Sequence, residues 1–280
     1  MELINFKIQK FDNLFVNCDL RFIPDNRKKA LVIFLHGFKS FRNWGFIPFC
    51  CEFLAKNGFM VINFDYSTNG IIDSEKSIFD PEIFARQTIS SHLNDFLDLV
   101  EKIKKKDILI NNYLSEYWNN QIFTIGHSMG GAISLLGYDK VRQDKIVLWA
   151  TISQIDRNTE RQKQIWKDKG YTEIKIMPSE QILHLNYSYI EDKEKNFADN
   201  SIVNSLKFID IPVLIIHPKN DMVVKINEAE ELYKALEHNN RRELYYIEGA
   251  GHTFSISHPF NNSNIYLDEA LNKTLDFLKK

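Results

Sequence analysis

No stretch of this 280-residue chain approaches 18 consecutive apolar residues, so no membrane-spanning helix is expected. The opening residues, MELINFKIQKFD, contain neither an apolar segment nor a small-residue cleavage tail, and no secretory signal is expected. Cysteine is restricted to Cys18, Cys50 and Cys51, which form neither a disulfide framework nor a metal-ligand spacing. Excess charge of one sign is missing too. With 35 Lys and Arg against 37 Asp and Glu, the net charge of −2 gives no electrostatic ground for a nucleic-acid partner. These shortages point to a cytoplasmic protein in a reducing compartment, and they leave a homodimer open.

What is present is a repeating change of period. ALVIFLH at 30–36, GFMVINFD at 58–65, QIFTIGH at 121–127, KIVLWA at 145–150 and IPVLIIH at 211–217 are solid apolar runs, as expected of strands covered on both faces. ELYYIEG at 243–249 supplies one more strand, and residues 3–11 and 14–22 alternate as an antiparallel edge pair. Between the runs, residues 84–106, 226–236 and the end of the chain carry apolar side chains at threes and fours, the stripe of an amphipathic helix. This alternation predicts an α/β fold, a mostly parallel sheet with helices on both faces. From Ile152 to about Asp210 no solid apolar strand appears. The charged segment DRNTERQKQIWKDKG reads as a helix, followed by short runs rich in Tyr and Ile. The expected organisation is a core of residues 1–151 and 211–280 with a small cap insertion at 152–210, after the sixth strand, because fewer than 60 residues make a marginal core alone.

Glycine is scarce, eleven in all, yet three fall within TIGHSMGGAIS at 124–134. Gly126-His127-Ser128-Met129-Gly130 lies between a strand and a helix start, the setting of a nucleophile elbow. Such a turn raises Ser128 from the backbone and puts the Met129 amide at a helix N-terminus, where it can stabilise an oxyanion. A serine nucleophile needs a base, and the base an orienting acid. Asp221 follows the 211–217 strand and His252 follows the last strand on a glycine-rich loop, in the required chain order. Asp156 is the weaker candidate acid and His258 the weaker base. The second oxyanion amide is expected from Phe38, in the HGF turn after the first solid strand, with His36 bracing that loop. His127 and His217 are expected to be structural. Trp44, Asp65 and Tyr66, at or near strand ends, are candidate substrate contacts. Asp221 also has a bland reading as an ordinary turn carboxylate.

With HGF at 36–38, GHSMGG at 126–131, ND at 220–221 and GAGHTF at 249–254 in place, the chain resembles the α/β-hydrolase superfamily along nearly its whole length. HGFKSFRNWGF and NFDYSTNG are similar to esterase-like members near the serine aminopeptidase and feruloyl-esterase branches. The resemblance implies Ser128 as nucleophile, His252 as base, Asp221 as orienting acid, and the Phe38 and Met129 amides as the oxyanion hole. Pro218 departs from the family, which often has glycine after the strand-end histidine; proline alters the turn holding Asp221 without moving its carboxylate. The expected activity is hydrolysis of small to medium hydrophobic acyl or aryl esters, with no cofactor and no metal. A peptidase or thioesterase would use the same residues, and a non-catalytic binding protein on this fold is the rival of another kind.

Overall fold

The computed structural model describes residues 1–197 and 201–280. In chain order the elements are β1 (Glu2–Gln9), β2 (Phe15–Phe22), β3 (Lys29–Leu35), α1 (Ile47–Lys56), β4 (Met60–Asp65), β5 (Ile71–Asp73), β6 (Ile78–Phe79), α2 (Pro81–Ala85), α3 (Ile89–Lys105), α4 (Asn111–Tyr117) and β7 (Trp118–His127). They continue with α5 (Met129–Val141), β8 (Lys145–Trp149), α6 (Glu160–Lys169), β9 (Tyr171–Lys175), β10 (Ile182–Asn186), α7 (Ser188–Asn196), α8 (Ser201–Leu206), β11 (Val213–Pro218), α9 (Ile226–Ala235), β12 (Arg242–Ile247) and α10 (Ile265–Lys279). Among the described residues no helix is long and apolar enough to cross a membrane.

Eight strands form one sheet in the order β1-β2-β4-β3-β7-β8-β11-β12. The first two pairings, β1 with β2 and β2 with β4, are antiparallel, and the rest of the sheet is parallel. The solid apolar runs follow from burial on both faces. In β3, Leu31, Ile33 and Leu35 enter one core with α3, α5 and α9, while Ala30, Val32 and Phe34 enter another with α1 and α10. Neither face of the central strands meets water, so no polar alternation survives in their sequence.

Helix boundaries differ from the periodicity at one place. The stripe predicted over 84–106 is two helices, broken at Arg86–Thr88. Thr88 caps the longer one by accepting from the Ser91 amide, while Ser91 Oγ accepts from the Thr88 amide. Serine stands where the capping box usually has Glu or Gln, which hides the signal. The β5–β6 hairpin, α1, α4, α7 and α8 lie outside the expected elements; the hairpin, α4 and α8 are too short to show a period.

The segment between β8 and β11 contains α6, the antiparallel hairpin β9–β10, α7 and α8. The YTEIKIM and ILHLNYSYI runs make the hairpin and the start of α7. Trp166, Ile176, Leu183, Leu185 and Ile190 form a third apolar cluster with Phe41, Phe79 and Phe84. The hairpin therefore rests on the chain that follows β3 and β4.

Candidate active site

The sequence 126–131 bends as its glycines require. A Cβ on Gly126 would lie 2.4 Å from Gly131 Cα, one on Gly130 would lie 2.2 Å from Leu35 O, and one on Gly131 would lie 2.1 Å from Thr151 Oγ1. At these positions only hydrogen fits. Between them, Ser128 takes φ 55° and ψ −119°, an unfavourable conformation for a residue with a side chain. The turn is held by the Ser128 amide donating to Trp149 O at 2.8 Å. Met129 opens α5, whose first amides have no partner within the helix. The HGF turn lies directly against this bend, since a Cβ on Gly37 would come 3.1 Å from Ser128 Cβ. That turn is braced by His36, whose Nδ1–H donates to Gly37 O at 2.8 Å.

Asp221 and His252 arrive from the loops after β11 and β12. His252 Nδ1 and Asp221 Oδ2 are 2.7 Å apart, and the carboxylate is fully buried. The other oxygen, Oδ1, accepts from the Val223 and Val224 amides at 2.8 and 2.9 Å. Pro218 closes β11, and its carbonyl accepts from the Asp221 amide at 3.2 Å, so the proline turn still delivers the carboxylate. Burial pushes the Asp221 carboxyl up, but the His252 hydrogen bond and charge and the two amides outweigh it. Its pKa lies below the usual carboxylate range. A cavity of about 330 Å³ is lined by Ser128, His252, Phe38, Trp44, Ile176 and Val223, among others. Within it, His252 Nε2 has no hydrogen-bond partner among the described residues, Ser128 Oγ included. Such contacts commonly tighten only when substrate is bound.

The remaining histidines have other duties. His127 Nε2–H donates to His252 O at 3.0 Å, tying the elbow to the loop that carries the imidazole. Burial and the neighbouring His252 lower the His127 pKa to about 3, so the ring is neutral. His217 Nε2–H donates to Val224 O at 3.0 Å, and His258 is engaged with the Gly45 amide and Ser74 O. Asp156 pairs with Lys163 and Lys193, away from any imidazole.

Two candidate substrate contacts need correction. Asp65 and Tyr66 are 2 % and 1 % exposed and are not among the residues lining the cavity at Ser128; Trp44 is. Asp65 is turned inward onto the Arg42 guanidinium and the Arg42 amide, and burial outweighs that partner and raises its pKa to about 6. Tyr66 stacks on His92 at 4.2 Å and meets the edge of His36 at 4.6 Å, which places it beneath the HGF turn. Among the described residues no group of three or more His, Cys, Asp or Glu is arranged to hold a metal.

The mostly parallel sheet and the glycine-crowded strand–turn–helix at residue 128 define an α/β-hydrolase. More narrowly, the chain belongs to the serine aminopeptidase S33 family, whose model matches residues 26–199, more than half of its length. No curated protein matches it. Among solved structures it is similar to Est1E from Butyrivibrio proteoclasticus, at 16 % identity and TM-score 0.65 over 99 % of both chains. It is similar to the Pyrococcus furiosus esterase Pf2001, at 22 % identity and TM-score 0.64 over 99 % of this chain and 92 % of that one. A soluble variant of monoglyceride lipase from Saccharomyces cerevisiae gives 18 % identity and TM-score 0.69, over 99 % and 94 %. At these identities the likeness is one of fold.

Proposed function

We propose that the protein is a serine hydrolase that cleaves carboxylic esters through an acyl-enzyme. The observation that carries this reading is the 2.7 Å contact of His252 with a buried Asp221, beside a serine held at positive φ in the same cavity. Ser128 Oγ attacks the ester carbonyl while His252 Nε2 takes its proton. The Phe38 and Met129 amides receive the oxyanion, each worth roughly 3 kcal/mol of transition-state stabilisation. The imidazolium then protonates the departing alcohol and afterwards activates the water that frees Ser128. Asp221 keeps Nδ1 protonated throughout. Residues 152–210 serve as a cap on a core of 1–151 and 211–280, and the buried thiols suit a reducing compartment.

An aminopeptidase is disfavoured by charge. A substrate's α-ammonium calls for a carboxylate facing the site, whereas the ionisable residues at this cavity, besides its histidines, are Lys39 and Lys175. The cavity's apolar residues, Phe38, Trp44, Ile176, Met177 and Val223, favour a hydrophobic ester. Ser128→Ala should reduce hydrolysis of p-nitrophenyl butyrate to background with an unchanged thermal midpoint. His252→Ala should lower kcat by about 10⁶-fold. Hydrolysis that persists in Ser128→Ala would remove the assignment.

A further inference from the structure

A second cavity, of about 520 Å³, is bordered by α6, the hairpin and α7; Phe38, Trp166 and Leu185 stand on its apolar side, and Lys169, Glu173 and Lys193 give it a charged one. Phe38 is the residue common to this cavity and the one at Ser128. Strand β9 runs past both. Tyr171, Thr172, Glu173 and Ile174 border the far cavity, and Lys175 with the next two residues, Ile176 and Met177, borders the near one. The near cavity alone is at the small end of ligand sites, which span roughly 300–1,000 Å³.

The Phe38 ring stands at the margin of two apolar clusters, the one beneath the central sheet and the one under the hairpin, and is enclosed by neither. It is half-buried, and its aromatic neighbours Phe84 and Tyr189 stand 6.1 and 6.2 Å away, centroid to centroid. Those separations lie toward the outer end of the aromatic contact range, so the ring is held by apolar contact with the two clusters rather than by close aromatic stacking. Its backbone position, by contrast, is pinned by the braced Gly37 turn. Backbone and side chain of this residue are therefore separable in function.

Resting on the ester-hydrolase reading, we propose that the Phe38 side chain is a gate that sets acyl-chain length. Short acyl groups stay in the cavity at Ser128, and long ones displace the ring and run along β9 into the far cavity. The substrate class this implies is an ester with a long, flexible acyl arm.

The test compares p-nitrophenyl acetate and decanoate. Thr172→Trp, which fills the far cavity from a half-buried strand position, should lower kcat/KM for decanoate at least tenfold while leaving acetate within twofold. Phe38→Ala should raise the decanoate-to-acetate ratio at least tenfold. Ratios that stay flat in both variants overturn the gate while leaving Ser128-dependent ester turnover intact. Calorimetric binding of decanoate to Ser128→Ala reads the same partition without catalysis. The affinity should fall at least tenfold when Thr172→Trp is added, and an equal affinity overturns the proposal even if no ester is turned over.

Discussion

The elbow and the hairpin above it are built on opposite terms. At the elbow, three glycines leave no room for a single added carbon, and the polar contacts around Asp221 and His127 are buried and short. In and beside the hairpin, the ion pairs Lys169–Glu173 and Lys175–Glu180 are largely solvent-exposed, and attachment relies on side chains packed against Phe41, Phe79 and Phe84. Surface pairs of that kind contribute at most about 1 kcal/mol. The lower region is specified by backbone sterics and the upper one by side-chain packing. The proposed chemistry belongs to the first, and the proposed room for substrate to the second.

The sharpest way to break this contrast is Gly130→Ala. A methyl 2.2 Å from Leu35 O cannot be accommodated by a side-chain rotation, because the obstacle is backbone. The expected loss is about 4 kcal/mol or more of global stability, or no soluble protein, measured by urea unfolding. A mild effect would show the elbow to be looser than described. Trp166→Ala is the counterpart above: its indole is 6 % exposed and Nε1–H donates to Leu185 O at 2.9 Å. It should cost about 3 kcal/mol, confined to residues 171–186 and seen as faster amide exchange there with the central strands still protected. Exchange that accelerates equally in β7 and β8 would merge the two regions.

Acid should separate them by a smaller margin. His36, His92 and His127 are buried in the lower region, and burial is the main cause that lowers their pKa values to about 4, 3 and 3. The unfolded chain binds protons at these rings near pH 6.5 that the folded chain refuses. Their contribution to stability is therefore complete above pH 6.5 and is lost as pH falls toward those folded values. His92→Phe removes one such group. The slope of unfolding free energy against pH between pH 6 and 4 should become shallower by about 1.4 kcal/mol per pH unit, measured by urea titration at each pH. An unchanged slope would mean that His92 is protonated in the folded protein.

The same contrast explains what could be read from residues alone. The strands of the central sheet and the bend at Ser128 are legible because their constraint is local: a solid apolar run means burial on two faces, and crowded glycines mean close backbone. Asp221 and His252 are legible through chain order and their places after β11 and β12. Asp65 and Tyr66 stand at a strand end as well, and only the inward partners Arg42 and His92, from other elements, remove them from the cavity. The third apolar cluster was invisible for a related reason. Phe79 and Phe84 sit in a two-residue strand and a five-residue helix with no periodic signature, and they meet Trp166 and Leu185 only through the tertiary fold. The gate proposed at Phe38 depends on that same meeting.

Because Phe41 is both part of the hairpin's footing and three residues beyond Phe38, the roof over the cleft and the strip that offers the Phe38 amide share one foundation. The Gly37 turn is nevertheless braced separately, by His36 and by its contact with the elbow, so a change that tilts the roof to admit a bulkier guest leaves the Phe38 amide in place. Laboratory selection for new guests on this scaffold would then register first in affinity, and only afterwards in turnover.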